Sequence, residues 1–200
     1  MSNYKHEEKG ISMRKIFVVL SLSMMVMLAA CSKKSTMPTQ PSTGTVGVHD
    51  WTKYGFTTVL DSASITPGTA DTIVSGPYTF QIPANVFNSP VEFELLGGDT
   101  TSLAATAPSG EKPILAFAFK ITDTKTDSLV GEFQNPLTMV ANDPEITSQS
   151  WYYDVETNGT YVLNSTGMKV SNGQMVHPIS GALFGWAITV PTSSGGGYYY

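Results

Sequence analysis

The chain has 200 residues, of which 41% are hydrophobic and 14% are charged, and its formal net charge is −5. The length fits one ordinary domain with appendages, and the low charge fraction, with 18 glycines and 12 prolines, reads as a turn-rich, all-β extracellular chain. The residues after position 50 hold five lysines and no arginine, too few to neutralise nucleic-acid phosphates, and a single cysteine excludes a disulfide framework or a cysteine-based metal site.

Met13-Arg14-Lys15 leads into a mostly apolar run over residues 16–30, interrupted by Ser21 and Ser23. The run is short for a spanning helix, which needs about 20 apolar residues. A basic start, a short apolar core and a small-residue exit predict a secretory signal peptide over residues 1–30. Glu7 and Glu8 fit a basic leader poorly, so Met13 is the expected start. The exit Leu28-Ala29-Ala30-Cys31 resembles the lipobox of bacterial lipoproteins. That resemblance implies cleavage after Ala30, a diacylglyceryl thioether on Cys31, and acylation, as with palmitate, of the new amine. Small residues before the cleaved bond fit the peptidase, and only a thiol carries the thioether. Two or three acyl chains, at ~0.8 kcal/mol per buried CH₂, anchor stably where one would be marginal. Lys33 and Lys34 follow at headgroup level, and Ser32 resembles the outer-membrane sorting case in a two-membrane cell. The expected location is the cell envelope, with the body facing the periplasm or the exterior.

Residues 31–50 comprise the lipidated cysteine and a Ser/Thr/Pro/Gly stretch too poor in apolar side chains to offset chain entropy, so a flexible, disordered tether is expected. Such a coil reaches roughly 20–25 Å root-mean-square. The body, residues 51–191, has short alternating apolar runs between turn signals. These predict strands at 55–60, 71–74, 78–82, 91–96, 114–122, 128–132, 137–141, 150–154, 161–163, 168–170, 174–176 and 183–190. One hairpin is expected from Ala116 to Phe133 about the polar residues 122–127. A second is expected about Thr157-Asn158-Gly159, since Asn-Gly is the strongest short turn signal. Phe184, Trp186 and Ile188 should share one face of the last strand. The predicted fold class is all-β, an antiparallel β-sandwich preceded by a signal peptide and a tether.

Three segments of the body share a family likeness. They are Gly76-Pro77-Tyr78-Thr79-Phe80-Gln81-Ile82-Pro83-Ala84-Asn85-Val86-Phe87 with Ser89-Pro90-Val91-Glu92-Phe93; Phe133-Gln134-Asn135-Pro136-Leu137-Thr138-Met139; and His177-Pro178-Ile179-Ser180 with Phe184-Gly185-Trp186-Ala187-Ile188. Together they resemble ZU5-like β-sandwich domains, with Asn85 standing where that pattern prefers glycine. The resemblance implies a non-catalytic interaction or scaffold module.

Ionisable chemistry is sparse. Asp123 and Asp127, with Thr122, Thr124 and Thr126, form an oxygen-rich turn of the kind that holds Ca²⁺, but Lys125 in its middle favours a solvated hairpin tip. The acidic stretches at 142–145 and 154–158 read the same way, and Glu92 and Glu94 alternate with apolar residues as the wet face of a strand. His49 and His177 follow the leader; His177, beside Pro178, is expected to be structural, its imidazole bonded to a backbone carbonyl. No nucleophile elbow, phosphate-cradling loop or zinc spacing accompanies it. The expectation is therefore no enzyme, no catalytic residue, no metal and no cofactor, with the membrane as one partner through Cys31 and an envelope protein or glycan as another. Trp51, Tyr54, Tyr152, Tyr153 and Tyr161 offer the alternative, a sugar-stacking platform, whereas Trp151 and Trp186 fit the core. A hydrolase using paired carboxylates is the third reading. The tail, residues 192–200, ends in Tyr198-Tyr199-Tyr200 after a glycine run and reads as a docking tag or a frayed end. From Asp50 onward fourteen acids face five lysines, a net −9, so the acidity lies in the body.

Overall fold

The computed structural model describes residues 48–192. Ala30, Cys31 and Tyr198–Tyr200 lie outside the described residues, as does most of the expected tether.

Twelve strands pair antiparallel in two sheets packed as a sandwich. In chain order they are β1 (Thr58–Ile65), β2 (Asp71–Ser75), β3 (Tyr78–Ile82), β4 (Val91–Gly97), β5 (Glu111–Asp123), β6 (Ser128–Leu129), β7 (Glu132–Asn142), β8 (Trp151–Val155), β9 (Tyr161–Leu163), β10 (Lys169–Ser171), β11 (Gln174–Gly181) and β12 (Gly185–Pro191). The first sheet runs β1-β4-β5-β12-β8-β9, with β6 also paired to β5; the second runs β10-β11-β7-β3-β2. The all-β sandwich read from the sequence is the fold.

The core follows the two-residue period of a strand. Val91, Phe93 and Leu95 of β4 face inward while Glu92 and Glu94 face water, where Glu94 pairs with Lys120 at 3.0 Å. Phe117, Phe119 and Ile121 of β5 join Phe80, Leu137, Trp186 and Ile188 between the sheets. Trp186 and Ile188 share the inner face of β12 as expected, with Phe184 half-buried just before the strand.

The first sheet is also covered on its outer face, which the sequence did not disclose. A 3-10 turn at Trp51–Tyr54 is capped by Asp50, which accepts from the Thr52 amide at 3.2 Å and its hydroxyl at 2.6 Å. Gly55, at φ +91°, ends it. A single helical turn, α1 (Thr100–Leu103), is capped by Asp99. Trp51, Phe56, Leu96 and Leu103 close over Ala116, Ala118 and Ala187, a second small core on small residues. Val48–Asp50, assigned to the tether from composition, thus belong with the fold: Asp50 caps the turn and His49 meets Trp51 edge-on at 5.8 Å.

Gly185 makes this outer core possible, since a Cβ there would stand 2.4 Å from Phe56 Cζ. Gly185→Ala is expected to cost about 1–3 kcal/mol through overpacking. Urea unfolding checks this, and Phe56→Leu in the same chain should recover part of the loss by vacating the contested space.

Three expectations are corrected. β1 begins at Thr58, not 55, and carries a β-bulge between Val59 and Asp61, because Gly55 ends the turn and Phe56 is drawn into the outer core. The hairpin expected to reach Phe133 pairs only Thr122 with Leu129 and Asp123 with Ser128. The chain then crosses at Gly131, and Phe133 joins the second sheet, its ring 5.3 Å from Phe87. β7 runs through Pro136, which is tolerated because the β7–β11 register is irregular beside it and β3 pairs only as far as Thr138. The Asn-Gly hairpin is as expected: Val155 pairs with Tyr161, and the Gly159 amide, at φ +82°, donates to the Glu156 carbonyl at 2.9 Å.

Candidate functional site

The first two segments of the family likeness meet at one end of the sandwich. The Gln134 amide donates to the Val86 carbonyl at 3.0 Å and the Asn135 side-chain amide to the Asn85 carbonyl at 3.1 Å. With the β5–β6 turn these segments line an open hollow of about 290 Å³, whose walls include Val86, Ser89, Asp123, Ser128, Val130 and Glu132. Asp123 is already committed within it. It accepts from the Ser89 hydroxyl, from the Lys125 amide at 2.8 Å and from the Thr126 amide at 3.1 Å. The Ser89 hydroxyl, then these amides, hold its carboxyl below the usual 3.8. Asp127 is exposed and sits at φ +55°. Asp123 therefore organises a turn, and among the described residues no three His, Cys, Asp or Glu side chains stand where they could hold a metal ion.

His177, on β11, is 2% exposed and lies flat on Tyr152 of β8, centroids 4.0 Å apart and rings 17° from parallel. The pair bridges the two sheets. Neither imidazole nitrogen nor the Tyr152 hydroxyl has a hydrogen-bond partner. The structural role read for His177 stands, but the carbonyl bond expected for it does not form. Burial lowers its pKa from 6.5 to about 4, opposed by the Pro178 and Asn164 carbonyls, neither at hydrogen-bonding geometry. Burial likewise drives the Tyr152 hydroxyl far above 10. Two residues along, Asp154 is buried and accepts from the Asn164 side-chain amide at 3.1 and 3.2 Å.

The aromatics do not form a stacking platform. Trp51 and Tyr152 are fully buried, and Tyr153 is buried with its hydroxyl donating to Glu111 at 3.0 Å. Tyr161 is half-buried and donates to the Leu103 carbonyl at 3.0 Å; Tyr54 alone of the five is exposed. Composition marked these rings as available, but Trp51 lies in the outer core with Tyr161 against it, and Tyr152 lies in the core between the sheets. Trp186 is in the core as expected, and Trp151 is half-buried at the start of β8.

One polar site escaped the sequence. Glu111 accepts from Tyr153 and, at 2.5 Å, from the fully buried Thr189 hydroxyl. Glu111 opens β5, Tyr153 lies on β8 and Thr189 on β12, so only the pairing of three distant segments brings them together. Its two bonds satisfy polar groups beneath the outer face. Compared with known proteins, the chain matches no family model and no curated sequence. No helix among the described residues is long and apolar enough to cross a membrane.

Proposed function

We propose that this chain is a lipid-anchored protein of the cell envelope whose β-sandwich serves as a non-catalytic interaction or scaffold module. One observation carries the reading: Leu28-Ala29-Ala30-Cys31 closes a basic-then-apolar leader and contains the chain's only cysteine. The fold supports it. The described residues build their own core from Trp51 onward, leaving a Ser/Thr/Pro stretch between that core and Cys31. The body's chemistry also supports presentation over catalysis. Asp123 holds a turn, Glu111 satisfies Tyr153 and Thr189, and His177 is sealed between the sheets. The mechanism is mechanical: acyl chains fix one end, the spacer gives reach, and a rigid sandwich meets its partner away from the bilayer.

The experiment is fatty-acid labelling and fractionation of the full chain against Cys31→Ser. Wild type should carry label and sediment with membranes, while the variant should lose both. Two unlabelled forms that both stay with membranes would sink the anchor. Crosslinking in intact cells then reads the module: a protein adduct is expected, and recovery of glycan alone would instead favour sugar binding.

A further inference from the structure

Two loops flanking β9 carry an asparagine followed two residues later by threonine. The β8–β9 turn is Glu156-Thr157-Asn158-Gly159-Thr160, and Asn164-Ser165-Thr166 follows the strand. Asn-x-Ser/Thr is the acceptor pattern for N-linked glycans in exported chains, but the pattern alone is common, and the side-chain nitrogen must be free to react. The structure separates the two. Each asparagine uses Oδ1 in the same way, accepting the backbone amide two residues on: Thr160 at 2.8 Å and Thr166 at 3.3 Å. The difference lies in Nδ2. That of Asn164 donates to both carboxylate oxygens of the buried Asp154, at 3.1 and 3.2 Å. Asn158 is exposed on the hairpin tip, and its Nδ2 makes no hydrogen bond to the described residues.

We propose that Asn158 is an acceptor for an N-linked glycan and that Asn164 is not. The donor is a lipid diphosphate-linked oligosaccharide presented by a membrane oligosaccharyl transferase. Asn158 Nδ2 attacks the anomeric carbon; the C–N bond forms, the anomeric C–O bond to the diphosphate breaks, the amide gives up one proton, and the lipid diphosphate leaves. The bond that Oδ1 accepts from Thr160 fixes the carboxamide with Nδ2 outward. At Asn164 the same attack would first strip Asp154 of a hydrogen-bond donor in a buried setting, a costly exchange. A glycan at the tip would also shield β9, the last strand of its sheet, where Leu163 is 52% exposed.

The proposal rests on the export that the envelope reading supplies, so the test scores both on one sample. The full chain is purified from its own cells, its fatty-acid label is recorded, and its peptides are mapped by mass. Glycan is expected on the Asn158 peptide with a bare Asn164 peptide. Asn158→Gln and Thr160→Ala should each abolish the modification, Thr160→Ser should retain it, and Asn164→Gln should leave it unchanged. A lipid-labelled chain with bare Asn158, or with sugar on both asparagines, overturns the acceptor assignment and leaves the anchor standing. Sugar on Asn158 of an unlabelled chain does the reverse. A chain with neither is scored in vitro, with purified transferase, the lipid-linked donor and the folded full chain; failure to transfer to Asn158 there overturns the proposal.

Discussion

Phe117→Ala is expected to remove about 3–5 kcal/mol of unfolding free energy, the range for emptying a buried aromatic site. Phe117 is fully buried at the centre of β5, and its ring lies 5.1 Å from Tyr78, 5.2 Å from Trp186, 5.3 Å from Phe80 and 5.7 Å from Phe119. These neighbours sit on β3, β5 and β12, strands held in register by their ladders, so they cannot collapse into the space a phenyl ring leaves. The loss has two parts, the transfer of the ring and the cavity that remains. Against a total of about 5–15 kcal/mol for a domain, it brings the variant near its unfolding threshold. Urea titration with tryptophan fluorescence reads it directly, because Trp186 is a neighbour. Phe117→Leu, which fills most of the volume, should cost markedly less. A loss below about 1 kcal/mol for alanine, the size of an average substitution, would mean that the two sheets do not close on Phe117 as described.

The same residues explain what the sequence disclosed. β4 was legible because one face is wet: Val91-Glu92-Phe93-Glu94-Leu95 writes the strand period in polarity. β5 and β12 are buried on both faces, yet their period survived in size. Phe117 and Phe119 alternate with Ala116 and Ala118, and Trp186 and Ile188 with Ala187. Those alanines and Gly185 were themselves a clue. A face of small residues in a strand, when buried, needs something to cover it, and the covering Trp51-Thr52-Lys53-Tyr54 turn is too short to show a helical period. Only Asp50 before it and Gly55 after it mark its ends, and the displacement of β1 follows from missing them. Leu103 was hidden the same way, on one helical turn behind Asp99.

The polar sites divide along similar lines. The β5–β6 turn was legible because Asp123, Lys125 and Thr126 are neighbours in sequence, and an aspartate accepting from the amides two and three residues on is a local event. Glu111 with Tyr153 and Thr189, and Tyr152 with His177, were not, because each contact depends on which strands pair across the sandwich. Hydrophobic period fixes a strand's faces but not its neighbours. Burial of Trp51 and Tyr152 is the clearest consequence: their aromatic character was read correctly and their availability was not.

His177 gives the second large effect, a loss of stability in mild acid. Its pKa in the folded chain is about 4, against 6.5 when unfolded, because the closed sandwich disfavours the imidazolium. Below pH ~6.5 the unfolded chain binds a proton that the native chain does not, so unfolding gains as pH falls, and stability rises with pH across the interval. The decline spans about pH 6.5 to 4 and totals about 3 kcal/mol, at 1.36 kcal/mol per pKa unit. Asp50, Asp99 and Asp123 are all held below 3.8, so what they contribute is lost at lower pH. Tyr78 and Tyr152 are raised from 10 and titrate far above it. Denaturant midpoints at pH 7.5 and 4.5 measure the decline. His177→Phe keeps a flat ring against Tyr152 with nothing to protonate, and should flatten the dependence between those pH values. Equal slopes in the two proteins, or a native-chain NMR signal assigned to the His177 imidazole by its loss in His177→Phe and titrating near 6.5, would show that His177 is not sealed between the sheets. The orphaned Tyr152 hydroxyl makes the comparison sharper, because Tyr152→Phe removes an unpartnered polar atom while sparing the stack, and should leave the His177 slope in place.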